Sequence, residues 1–189
     1  MIDKNIQQYS YQLKKLGIEH NVVEHPELKT PPEVQGHLGL TLADGLSTMI
    51  MKADNAFVAV IRRDDTRLDF GKIKDVLKVK NLRMAKPDEF IRLTGMPLGA
   101  ARVVNPGLKT LLDTRLFEKE LLTGGTGSFT CSFRYKAADL KKLPESVIAD
   151  VTESRREEGS IGLTKKRLLS GITPSGDGSL HIGNYLGAV

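Results

Sequence analysis

The residues best suited to chemistry stand in the last stretch of the sequence, TPSGDGSLHIGNYLGAV, Thr173 to Val189. An apolar run, LLSGI, leads into a Gly-containing turn and then into HIGNYLGAV. This order reads as a strand–loop–helix unit. The first amides of such a helix have no intrahelical acceptor and favour an anion at the turn. His181 and Asn184 lie three residues apart and share one face of the first helical turn, where each can donate to a phosphate. Gly183 leaves room for an adenine or ribose against the helix.

Elsewhere the usual catalytic arrangements are missing. The sequence holds no Gly-x-Ser-x-Gly elbow, no Walker loop and no His-Glu-x-x-His. His20, His25 and His37 stand without cysteine neighbours, so hydrogen-bonded histidines are expected there and no metal site. Cys131 is the sole cysteine, which rules out an internal disulfide. It sits in the alternation SFTCSFR and reads as a core residue.

Several elements must carry these residues. Ile6, Tyr9, Leu13 and Leu16 recur at helical spacing before Gly17. IEHNVVEH reads as a strand, and Thr30 with Pro31 and Pro32 opens a short helix. LSTMIMKADNAFVAVIRR reads as a buried hairpin turning at Ala53–Asp54–Asn55. Asp69 caps a helix with Phe70, Ile73, Val76 and Leu77 on its apolar side. NLRMA is a strand, and KPDEFIRLTG is a helix from Pro87 to Gly95. Short strands broken by Gly and Pro follow. YKAADLKKLP gives a helix and SVIADVT a last strand. Hairpins outnumber helical crossovers, so the expected fold is α+β. It has a mostly antiparallel, barrel-like sheet in meander order, with short helices covering one side. The expected domains are residues 1–152, a charged linker over 153–165, and a truncated Rossmann-type strand–loop–helix over 166–189.

The chain has 189 residues and a formal net charge of +5. That excess permits contact with a polyanion such as tRNA without demanding it. There is no Trp and few aromatics lie near the basic clusters, which disfavours a base-stacking platform. No apolar run approaches the ~20 residues of a membrane span, and the polar N-terminus lacks a signal-peptide centre. A cytoplasmic location is expected. Oligomeric state is not legible.

Two resemblances sharpen this reading. HIGNYLGA, behind GITPSG, resembles the start of the class I tryptophanyl-tRNA synthetase catalytic domain. By that resemblance Pro174, Ser175 and Gly176 shape the loop, and His181 and Asn184 stabilise the phosphates of ATP. ATP with Mg is implied only where a complete synthetase is present. The Lys-Met-Ser-Lys-Ser loop is absent here, so the chain is expected to be the front piece of a longer fusion.

Residues 1–152 resemble the YbaK/prolyl-tRNA-synthetase-associated editing domain family, which hydrolyses mischarged aminoacyl-tRNA. The likeness rests on ADGLSTMIMKADNAFVAVI, RLDFGKIKDVLKVKNLRMAKPDEFIRLTG, GMPLGAARVVNPG and LLTGGTGSFTCSFRYKAADL. Ser47, before Thr48, stands where the family carries its catalytic lysine. Lys52 would point to the opposite face of the strand. The resemblances imply a deacylase without cofactor, acting on tRNA, with a tryptophanyl-tRNA synthetase body as its neighbour. It implies backbone amides at Gly95, Gly99 and Ala100 that stabilise an oxyanion, each donor worth roughly 3–4 kcal/mol in other systems. Ser47 and Thr48 would hydrogen-bond the ester or the amino acid. The missing lysine leaves a second reading open, a non-catalytic tRNA-binding appendix. A third is that the chain is the front of an ATP-dependent ligase.

Overall fold

Apolar residues at helical spacing make the first element. Helix α1, Lys4–Lys15, buries Ile6, Tyr9 and Leu13 on one face. The structure is a computed structural model that describes residues 4–154, all within one compact unit. After α1 come strand β1, His20–Glu24, and helix α2, Pro31–His37. The Glu33 carboxylate reaches back to accept from the Lys29 and Thr30 amides at 3.0 and 2.9 Å, satisfying donors at the start of α2.

The hairpin turns at Asp54, whose φ of 48° is left-handed. Its arms are β2, Leu46–Ala53, and β3, Ala56–Arg63. Strand β4, Thr66–Leu68, leads to α3, Phe70–Leu77, where Asp69 accepts from the Gly71 and Lys72 amides. Strand β5, Leu82–Met84, and helix α4, Pro87–Thr94, follow. The last strands are β6, Lys109–Asp113, β7, Leu121–Gly125, β8, Cys131–Lys136, β9, Ser146–Ala149, and β10, Thr152–Ser154.

The strands form a five-stranded sheet in the order β5-β2-β3-β6-β9, a three-stranded sheet β1-β8-β7, and a pair β10-β4. The α+β class and the largely antiparallel pairing agree with the sequence reading. The meander order fails: β3–β6 and β6–β9 pair in parallel, and β1 pairs with β8, β2 with β5 and β4 with β10 out of chain order. A parallel pair needs a long crossover. Here one crossover carries β4, α3, β5 and α4, and the next carries the β7–β8 hairpin. The helices also do not keep to one side. Ile73 of α3 packs with Met51, Val58 and Val60, whereas Phe90 of α4 packs with Ile50 and Ala59. Successive strand residues face opposite sides, so these two helices cover opposite faces of the large sheet.

The residues 166–189 read as a Rossmann-type segment, with Pro174, Ser175, Gly176, His181, Gly183 and Asn184, lie outside the described residues. So does the linker, apart from its first two residues.

Candidate functional site

Ser47 lies near the start of β2, and its Oγ donates a 2.5 Å hydrogen bond to Oδ1 of Asp64, just past the end of β3. Antiparallel pairing sets Ser47 opposite Arg62, so the turn beyond β3 delivers Asp64 beside it. Asp64 is 3% exposed. A buried carboxylate is costly unless hydrogen-bonded, and a short bond from a hydroxyl is a strong partner. The Asp64 N–H donates to the Gly45 carbonyl at 3.0 Å. A Cβ at Gly45 would stand 2.3 Å from Asp64 Oδ2 and 2.4 Å from Gln35 Nε2. Glycine is therefore what lets Gln35 of α2 and Asp64 close on the backbone from two directions.

These residues floor a small cavity of about 60 Å³. Helix α2 roofs it with Pro31, Val34 and Gln35, and β7 lines it with Thr123, Gly124 and Gly125. Gly99 and Ala100 approach from the loop after α4. A Cβ at Gly125 would lie 2.8 Å from the Ala101 carbonyl, so this loop packs directly on β7. His25 and Ser132 complete the wall. His25 Nδ1 lies 2.8 Å from the Pro26 carbonyl, which can only accept, so this nitrogen carries a proton. In the neutral ring Nε2 is then the acceptor, and the Ser132 hydroxyl donates to it at 2.9 Å.

The cavity is rich in acceptors. Gln35 Oε1 and Thr123 Oγ1 are buried and lack a hydrogen-bond partner. They join the Asp64 carboxylate on the cavity wall. A cation stands at the rim, Lys29, exposed and 3.1 Å from Glu27.

Of the residues expected at the site, Ser47, Gly99 and Ala100 meet at this cavity. The Ala100 N–H is already taken by the Pro97 carbonyl at 3.1 Å. Among the described residues the Gly99 N–H makes no backbone hydrogen bond, and Gly99 has a left-handed φ of 91°. Gly95 is elsewhere. It ends α4 with a φ of 68°, donating to the Ile91 carbonyl, and it does not line the cavity. Thr48 alternates to the other face of β2, where its Oγ1 is buried without a partner. Lys52 places its Nζ 5.7 Å from the centre of the Phe57 ring, outside the cavity. Cys131 is buried, and burial raises its thiol pKa.

Asp64, Gln35, Thr123, His25 and Ser132 were not legible as site residues. Asp64 follows two arginines and precedes a second aspartate, and it reads as a solvated turn. Among the described residues no cluster of three His, Cys, Asp or Glu side chains could hold a metal ion. No described helix is long and apolar enough to cross a membrane.

The sequence profile of the aminoacyl-tRNA editing domain matches residues 25–143, which hold every wall of this cavity. The chain belongs to the aminoacyl-tRNA editing domain family. Among curated relatives, the proline–tRNA ligase of Caldicellulosiruptor saccharolyticus is 27% identical over 133 residues, 70% of this chain and 23% of that protein. The proline–tRNA ligase of Geobacter metallireducens is 33% identical over 131 residues, 68% of this chain and 22% of that protein. The chain thus spans about a quarter of the length of the curated relatives it matches. A solved structure of a proposed trans-editing enzyme for prolyl tRNA synthetase has the same fold. Its TM-score is 0.72 at 22% identity, covering 82% of this chain and 100% of that one.

Proposed function

We propose that this editing domain hydrolyses the ester bond of a mischarged aminoacyl-tRNA carrying a small amino acid. One observation carries the proposal: a single small cavity brings Ser47, Asp64, Gln35 and Gly99 together within the residues that the editing family matches.

The α-ammonium of an aminoacyl ester presents three donors and a positive charge. Asp64, Gln35 Oε1 and Thr123 Oγ1 offer one charge and several acceptors. A volume of 60 Å³ admits few heavy atoms beyond the ammonium, which selects a small side chain. Water attacks the ester carbonyl, forming a carbon–oxygen bond. The bond to the ribose oxygen then breaks, and that oxygen takes a proton as it leaves. The products are a free amino acid and uncharged tRNA. In this reading the Gly99 amide, which makes no backbone hydrogen bond among the described residues, donates to the tetrahedral oxyanion. No lysine stands at position 47, so the Ser47–Asp64 pair holds the substrate and the terminal ribose hydroxyl orients the water. The deciding assay is ester loss from a panel of aminoacyl-tRNAs with the full chain. Binding without hydrolysis would leave the appendix reading in its place.

The motif at His181 and Asn184 supports a second proposal, that this domain precedes a tryptophan–tRNA ligase. A reading frame running past Val189 to a Lys-Met-Ser-Lys-Ser loop is its test.

A further inference from the structure

The three-stranded sheet bears a second and larger cavity, of about 510 Å³, bordered by Lys14, Asn21, Arg134 and Lys136. Ser132, Arg134 and Lys136 alternate to one face of β8. Ser132 lines the first cavity, and Arg134 and Lys136 line the second. Thr123, which also lines the first cavity, is the register partner of Arg134. A lining residue of one cavity is thus paired across the strands with a lining residue of the other, and Ser132 and Arg134 stand roughly 7 Å apart along β8.

The second cavity is basic. Lys14, Arg134 and Lys136 line it against one acid, Glu19, and Lys136 holds that acid at 2.5 Å. Arg134 Nε is buried and lacks a hydrogen-bond partner. A buried donor left unpaired is costly, and the guanidinium fork matches phosphate geometry. Lys14, exposed near the C-terminal end of α1, adds a further positive charge to the lining. The lining holds no Phe, Tyr or Trp on which a base could stack, so the chemistry favours backbone over base.

We infer that this cavity binds a backbone phosphate of a single-stranded polynucleotide whose 3′ end occupies the Ser47 cavity. The inference rests on the proposed deacylation for the direction of the strand, and its test does not require hydrolysis. An RNA oligonucleotide ending in ACCA, uncharged, is titrated into the full chain at several salt concentrations. Wild type is expected to show an affinity that falls with salt. Arg134→Gln is expected to weaken binding several-fold and to reduce the slope of log K against log salt by about 1. Lys14→Gln, at an exposed helix position, provides the same readout if Arg134→Gln fails to fold. Equal affinity and equal slope in wild type and the folded variants would overturn the assignment, as would wild-type binding that ignores salt. A chain that binds in this way but cleaves no ester keeps the phosphate site and loses the deacylase.

Discussion

Ser47 and Asp64, seventeen residues apart, are joined by a 2.5 Å bond in which the serine hydroxyl donates to the carboxylate. The bond sits between the ends of the two central strands and at the floor of the candidate site. Ser47→Ala removes a donor to a buried charge. The expected loss of stability is about 1.5–3 kcal/mol, read from the urea midpoint, and deacylation falls with it.

Gly45 is the point where Asp64 and Gln35 close on the main chain. Gly45→Ala puts a methyl group into both side chains. A destabilisation of about 1–3 kcal/mol is expected, with loss of substrate binding. Gly36 lies one residue from Gln35 on the same helix, and a Cβ there would meet nothing within 4 Å. Gly36→Ala is expected to raise stability by about 0.5–1 kcal/mol, because alanine favours the helix. Thermal melts of the pair separate crowding at the site from loss of glycine itself.

Tyr9 and Tyr135 meet in the core, their hydroxyls 3.3 Å apart. Tyr9 Oη accepts from the Val103 N–H at 3.0 Å. Burial pushes the Tyr9 pKa from 10.0 up to about 12 and raises that of Tyr135 as well. Folding therefore favours the neutral phenols. Their contribution is complete below pH 10 and is lost as pH rises towards 12. Tyr9→Phe leaves the Val103 N–H unpaired, for an expected cost of about 1–3 kcal/mol. It also flattens the alkaline fall in melting temperature.

Acid acts through a different set. The Glu89 carboxyl is lowered from 4.5 to about 2, first by hydrogen bonding to Arg83. Asp44 is lowered by Lys119, Asp139 by Lys142 and Asp150 by Lys72. A depressed carboxyl stabilises the fold above its unfolded value and stops doing so as pH falls through the folded one. Melting temperature is expected to hold down to about pH 4.5 and to decline towards pH 2, less steeply at high salt because several of these pairs are exposed.

Local signals carried much of the fold. The spacing of Ile6, Tyr9 and Leu13 marks α1, Asp69 marks the start of α3, and Gly95 marks the end of α4. Each depends on neighbours within one or two turns. The parallel pairing of β3 with β6 was not legible, since the crossover between them spans two helices and two strands. The site divides in the same way. Ser47, Gly99 and Ala100, which family likeness singles out, line one cavity. Asp64 was missed because its burial is made by Gly45 and Gln35, which come from earlier and separate segments. Gly95 was drawn in because a glycine ending a helix and a glycine in a substrate loop look alike in sequence. Its left-handed φ is accounted for by the cap.

The most direct measurement is the rate of ester loss from aminoacyl-tRNAs bearing each of the twenty amino acids, with the full chain and with Asp64→Asn. Faster loss of at least one small amino acid with the wild-type chain, abolished in a folded Asp64→Asn variant, is the result expected. Rates equal to the protein-free control across the whole panel, from wild-type protein shown to be folded, would contradict the account.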